Sequence, residues 1–433
     1  MEEDARDDAA FSPLMLRSLR LPNRFIKSAT HDGSTIDAMT ASYRRLAQNG
    51  VSLMTVAYMS IDPKNKTFDN QHHISDDTLA EWTELVLHVQ QVGGKLSAQL
   101  HHPGLFCMSS KGVPMGPSLS FLPSKFAWPR VMTHLDLDAT KAQYVAAAQL
   151  CARAGFSAVE LHVGHGYLLS QFLTPLFNRR SDGYGGRHIE NRARYPAEVI
   201  AAIRESIPES MPLIVKMNAD DGLPFGGLTL EDSLSAARIF ADAGADAIVP
   251  SFGYTSLNGF GMLRGNVPLH EMASAMPYAV SRWLVRWLGW LLVPAIKYES
   301  LFLRKAAARF VSALDGTRAK VIYVGGCDSL DAVREVLAMG CAAVQIGRPL
   351  LREPWFVRKL EVAHSKRRER ARNGVQRSGF DDAESRSTCI RCNLCTLASI
   401  DPAKFQSGCP HLQPGEGRAF EGSIDVEDLH VLT

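Results

Sequence analysis

Val159-Glu160-Leu161-His162-Val163-Gly164-His165-Gly166-Tyr167 is an apolar run that stops on two histidines and a tyrosine. Residues 157–161 read as a buried strand: short, mostly apolar, and set after a helix-like run that ends at Gly155. A packed strand ending in a polar cluster is how an α/β barrel presents chemistry, because the strand fixes the backbone and the loop after it carries the reacting groups. His162 and His165, three apart, can turn two imidazoles on one small object. Tyr167 adds a phenol, a weak acid of pKa about 10. Two neutral donors and a weak acid suit a carbonyl compound about to accept a hydride.

Outward from this stretch, short apolar runs alternate with helical patterns. Runs that read as strands fall at 24–29, 51–57, 95–100, 157–161, 213–217, 247–250, 320–324 and 343–346. Helical patterns lie between them at 77–92, 140–154, 229–243 and 329–339. Ala154-Gly155, Ala243-Gly244 and Met339-Gly340 each precede a strand, and each glycine fits the left-handed residue after a helix. Eight such units close into an α/β fold, the (β/α)8 TIM barrel, with right-handed crossovers. The expected division is a barrel over 1–360, with a long insert after strand 6 at about 253–319, and a C-terminal cysteine-rich extension over 361–433.

Hydrophobic residues make up 46% and charged residues 21% of the 433, an ordinary soluble composition. A net charge of +2 provides no strong field for a polyanion, which argues against nucleic acid as a partner. The amino terminus, MEEDARDDAAF, is acidic without an apolar core and is no secretory signal. Eight cysteines in a chain this long do not form a disulfide framework, so the expected location is cytoplasmic.

The insert contains Arg282-Trp283-Leu284-Val285-Arg286-Trp287-Leu288-Gly289-Trp290-Leu291-Leu292-Val293. Trp283, Trp287 and Trp290 recur at i, i+4 and i+7 and share one helical face, with Arg282 and Arg286 on another. The uncharged run 287–296 is too short to span a bilayer. The stretch reads as a lid helix over the barrel mouth; a hydrophobic channel, a dimer contact and a peripheral membrane contact through 281–293 are the alternatives. Residues 365–372 are a charge run, read as a solvated helix end or linker.

Further motifs follow in order. Leu21-Pro22-Asn23-Arg24-Phe25 opens the first strand, and Gln99-Leu100-His101-His102-Pro103-Gly104 closes the third. After the histidine cluster come Asn178-Arg179-Arg180-Ser181-Asp182-Gly183-Tyr184-Gly185-Gly186 with Asn191-Arg192, then Gly325-Gly326, then Gly347-Arg348-Pro349. Taken together and in this order, they resemble the old yellow enzyme family, the FMN-dependent ene-reductases and NADH:flavin oxidoreductases, from about residue 21 to 352.

The resemblance implies FMN over the carboxyl ends of the strands, with NAD(P)H as reductant. It implies that Gln99 bonds the pyrimidine edge of the flavin and that Lys216 sets a cation near N1 and O2. Ala29 and Thr30 would touch the ring through backbone, while Gly325, Gly326, Gly347 and Arg348 would bind the phosphate. Lys216 stands where many relatives have arginine, which keeps the charge without the forked geometry. Ser28-Ala29-Thr30-His31 departs from the commoner pattern, and either Thr30 or His31 could approach the reactive edge of the flavin. The catalytic set is His162, His165 and Tyr167. The histidines would grip the carbonyl oxygen of an α,β-unsaturated substrate, and Tyr167 would protonate Cα after hydride reaches Cβ. A satisfied structural pair is one competing reading. A zinc site using His101 or His102 as third ligand is another, but it leaves Gln99 and the phosphate motifs unexplained. Residues 178–192 read as scaffold.

No Gly-x-Gly-x-x-Gly follows a strand, so the nicotinamide would visit the same flavin face as the substrate, in ping-pong order. The expected activity is an FMN-dependent NAD(P)H oxidoreductase acting on a small molecule with an electron-poor double bond, an activated alkene, enone or quinone. The alternatives are an iron–sulfur flavoenzyme acting on enoyl thioesters or amines, a non-redox barrel that serves as a binding protein, and a metal-dependent lyase or hydrolase.

Cys389, Cys392 and Cys395 are spaced C-x2-C-x2-C, and thirteen residues separate Cys395 from Cys409. The tail is similar to that of the dienoyl-CoA reductase and trimethylamine dehydrogenase branch, where four cysteines after the barrel hold an iron–sulfur cluster. The resemblance implies these four as ligands of a cluster or of zinc. One spacing is a residue shorter than is typical there, and the chain stops before the second flavin domain that such a cluster serves. A metal-free remnant is therefore the preferred reading.

Overall fold

All eight apolar runs form strands in the computed structural model, which describes residues 8–120, 128–276, 279–293, 295–374, 384–413 and 415–417. They are β1 (Phe25–Lys27), β2 (Leu53–Ser60), β3 (Leu96–His101), β4 (Ala158–Val163), β5 (Leu213–Asp220), β6 (Ala247–Phe252), β7 (Lys320–Val324) and β8 (Ala343–Ile346). The strands are parallel and pair in sequence order, and the barrel closes where Val344 of β8 faces Phe25 of β1. Helices intervene as the glycine cadence requires: Gly155, Gly244 and Gly340 take left-handed backbone just ahead of β4, β6 and β8. The architecture is the (β/α)8 TIM barrel. Residues 1–7 of the acidic terminus and 418–433 of the extension lie outside the described residues.

Strand side chains alternate between the helix layer and the lumen. Ile26, Leu53, Ala158, Ile214, Ala247, Val249, Ile322 and Ala343 pack together as an apolar floor. A hairpin of Leu14–Leu16 against Leu19–Leu21 adds Leu14, Leu16 and Leu21 to that cluster, plugging the amino end. Arg17 at its tip pairs with the buried Asp246 at 2.9 Å. Further up the lumen the same parity turns polar, through Gln99, Glu160, Lys216 and Gln345 to His101, His162, Asn218 and Ser251. In β2 the register shifts between Val56 and Met59, which breaks the alternation beside Tyr58.

The insert is shorter than 253–319. It holds the helices Thr255–Leu263, Leu269–Ala275 and Ala279–Leu292, whereas Arg304–Ala313 is the barrel's own helix before β7, burying Ala307 and Phe310. Trp283, Trp287 and Trp290 are 57%, 61% and 72% exposed, so the tryptophan face does not lie on the mouth as a lid would. No described helix is long and apolar enough to cross a membrane.

The boundary at 360 falls inside the helix Phe356–Arg372, which buries Phe356, Val357, Leu360 and Ala363; the charge run is its final turns. Beyond it the chain returns to the barrel. The Ser387 hydroxyl and the Thr388 N–H both donate to the Glu353 carboxylate, at 3.0 and 2.7 Å. Arg352 pairs with Glu416 at 2.6 Å. Gly33 has φ 73°, and any Cβ there would collide with the Ala398 carbonyl. The extension is thus a wall beside the loop after β1.

Candidate active site

β4 ends on His162, and the next turn carries His165 in left-handed backbone, φ 59°. That conformation is unusual for a side chain with a Cβ and needs support. Asn218 of β5 supplies it. Its Oδ1 accepts from the His165 N–H at 3.0 Å, and its Nδ2 donates to Asp221 and to the Gly253 carbonyl at 2.7 and 2.8 Å. Gly166, at φ 83°, lies so close to the Tyr254 ring that a Cβ would overlap it. The turn therefore aims His165 back at His162. The two rings hydrogen-bond to each other, His162 Nε2 to His165 Nδ1 at 2.9 Å, and His165 Nε2 meets Ser251 Oγ at 2.7 Å. One substrate oxygen can take both imidazoles only by replacing their mutual bond. Burial pushes the His165 imidazole down to about 3 and holds His162 well below the usual range, so both are neutral near pH 7.

Tyr167 lies 4.9 Å from the His162 ring centre and 4.7 Å from that of His101. Its hydroxyl donates to that of Tyr58 at 3.3 Å. Burial raises both phenols above their ordinary value, so each keeps its proton.

Beneath this set lies a buried polar ring. Glu160 accepts from Gln99 Nε2 at 2.5 Å and from Gln345 Nε2 at 2.6 Å, and pairs with Lys216 at 3.3 Å. Lys216 also donates to Ser28 Oγ at 3.0 Å, and Ser28 donates to Gln345 Oε1 at 3.3 Å. The expected flavin partners Gln99 and Lys216 thus share one carboxylate. Thr30 accepts from the buried Lys27 ammonium at 2.9 Å, and its methyl would touch a Cβ placed on Gly347. Ala29 adjoins it in the loop after β1.

Gly325 and Gly326 turn sharply after β7, at φ 125° and 77°. A Cβ on Gly326 would come within 2.8 Å of the backbone at Glu299 and Leu301. Arg348 follows Gly347, but its guanidinium donates to the Arg264 carbonyl at 2.9 Å and to Asn393 at 2.5 Å. It lines a small cleft with Cys389, Cys392, Cys395 and Cys409. These thiols are free, and burial pushes Cys395 up to about 12. Among the described residues no three His, Cys, Asp or Glu side chains are arranged to hold a metal ion, at the cysteines or around His101 and His102. Within 178–192, Asn178 bonds two backbone carbonyls and Arg192 pairs with Asp232 at 2.6 Å, which is scaffold work.

Sequence reasoning missed Tyr58, Glu160, Asn218, Ser251 and Gln345. Four of these sit at inward parity on their strands, and counting in twos from His162, Lys216, Val249 and Ala343 finds them. The β2 register shift hides Tyr58 from any such count.

Residues 9–251 match the profile of the NADH:flavin oxidoreductase / NADH oxidase family. The 4,4'-dithiodibutanoate disulfide reductase of Rhodococcus erythropolis is 31% identical over 393 residues, 89% of this chain and 91% of that protein. An NADPH dehydrogenase of Clostridium acetobutylicum is 30% identical over 246 residues, 54% of this chain and 70% of that one. A solved 2-naphthoyl-CoA reductase shares the fold at a TM-score of 0.67 and 18% identity, over 91% of this chain; this chain spans only 58% of its length. The non-redox and metallohydrolase alternatives give way to these matches. The chain belongs to the NADH:flavin oxidoreductase / NADH oxidase family, the old yellow enzymes, and is an FMN-dependent NAD(P)H oxidoreductase.

Proposed function

We propose that the acceptor is an α,β-unsaturated carbonyl compound or a quinone, and that the donor and acceptor occupy one site in turn. The observation that carries this reading is the neutral, desolvated His162–His165 pair with the protonated Tyr167 beside it. The chemistry that FMN would supply when bound is hydride transfer between nicotinamide and acceptor. Gln99 and Lys216 are assigned to its ring, Ala29 and Thr30 to its edge through backbone, and Gly325, Gly326, Gly347 and Arg348 to its phosphate. The donor chemistry fits such a guest, and three buried imidazole nitrogens at the mouth, His31 Nε2, His101 Nδ1 and His162 Nδ1, have no protein partner.

His162 and His165 each offer one N–H to the carbonyl oxygen, which polarises the conjugated double bond and stabilises the enolate. Tyr167 holds the proton that Cα receives, with Tyr58 accepting from its hydroxyl in the resting state. Anaerobic NADH or NADPH should bleach the yellow protein, and cyclohexenone or menadione should restore the colour. Restoration by oxygen but by neither acceptor would overturn the reading.

The long match to a disulfide reductase favours one second acceptor class, an organic disulfide. Hydride cleaves the S–S bond to one thiol and one thiolate, and the thiolate takes a proton to give the second thiol. Reoxidation by 4,4'-dithiodibutanoate, with two thiols counted per flavin, tests it.

A further inference from the structure

The helix Ala279–Leu292 presents Val280, Trp283, Trp287, Trp290 and Leu291 to solvent on one arc, all at least half exposed. The opposite side is anchored: Gly289 is buried, and a Cβ there would come within 2.8 Å of Leu269. Arg282 and Arg286 border the aromatic arc. From Ala279 to Tyr298 the chain carries these two arginines and Lys297 and no acidic residue. Tryptophan favours the boundary between hydrocarbon and headgroups, and flanking cations answer anionic headgroups. A second copy of the same face would be a poor partner, since a two-fold contact sets like patches together and brings cations to cations.

We propose that this helix docks on the surface of an anionic lipid bilayer, lying in the interface with its tryptophans inserted. It cannot span the membrane. The insert is rooted at the mouth at both ends: the Thr255 N–H donates to the His165 carbonyl at 3.0 Å, and the Leu301 N–H to Gly326 at 3.1 Å. Docking therefore tethers the end of the barrel that carries the histidines. The proposal does not depend on which acceptor the site reduces.

The test is co-sedimentation of the full-length flavoprotein with phosphatidylcholine vesicles, with and without phosphatidylglycerol. The expected result is binding to the mixed vesicles, weakened by salt, with a blue shift of tryptophan emission. W283S/W287S/W290S should abolish binding. R286Q should weaken it about fivefold, taking about one kcal/mol for the cation. Flavin content and reduction by NAD(P)H should be unchanged in both. No binding by the parent, or equal binding by the tryptophan variant, overturns the proposal. So does a parent dimer that the tryptophan variant converts to monomer without any lipid binding, which would assign the face to a second copy.

Discussion

Replacing Glu160 with glutamine removes one charge and almost no volume. The carboxylate collects Gln99, Gln345 and Lys216 at 2.5, 2.6 and 3.3 Å, with Glu160 at 0% and Lys216 at 4% side-chain exposure. After the exchange the Lys216 ammonium keeps the Ser28 hydroxyl at 3.0 Å but loses its counter-charge. Breaking a buried ion pair from one side costs about 3–5 kcal/mol. A flip of one neighbouring amide, Gln99 or Gln345, can recover both bonds to the new amide, which places Glu160→Gln near the lower end, about 3 kcal/mol. That is more than a hundredfold in the folded-to-unfolded ratio, at about 1.4 kcal/mol per decade. Lys216→Met alone strands the carboxylate and should cost a similar amount. The double variant removes both charges and should be more stable than either single one. Urea unfolding followed by far-ultraviolet circular dichroism measures all three. A loss under about 1 kcal/mol, typical of an exposed pair, or strictly additive losses in the double variant, would refute the pairing argument.

Tyr167→Phe should slow enone reduction by about 10²–10⁴-fold while NAD(P)H still reduces the flavin at the parent rate, as stopped-flow of the two half-reactions would show. Gly166→Ala forces a Cβ into the Tyr254 ring at φ 83°, and should cost at least about 1–3 kcal/mol in urea unfolding. Burial pushes His31 and His102 down to about 4 and His165 to about 3. The unfolded chain protonates these histidines near pH 6.5, so it binds more protons than the native state below that value. Their contribution is intact above about pH 6.5 and falls as the pH drops toward 4, by up to about 1.4 kcal/mol per unit per histidine. Thermal melts between pH 8 and 4 should show that decline, and a flat profile would contradict it.

The barrel was legible because its signals are local. Apolar runs such as 213–217 and 343–346, and glycines such as Gly244, announce strand and cap without reference to anything distant. The cluster of His162, His165 and Tyr167 was legible for the same reason, being packed into one strand end and one turn. Glu160 stood in that same stretch and was passed over, because its function is set by Gln99, Lys216 and Gln345 on three other strands. The Gly347-Arg348 motif and its place after the last strand mark Arg348 for the phosphate, but the bond from its guanidinium to Asn393, 45 positions onward, has no local signal. The extents of insert and extension are less legible, because long-range packing, at Ala307 and Phe310 or at Gly33 and Ala398, bears on where they stop.

The seat of Ala398 against Gly33 has a practical corollary for anyone trimming the protein. A cut at residue 360 would sever the helix Phe356–Arg372 after its first five residues, unmask Glu353 and strip the masonry from the side of the mouth where the first strand opens. Barrel and tail should then be expressed, swapped or inherited as one piece, and a minimal version must be sought by shortening the tryptophan-bearing excursion instead.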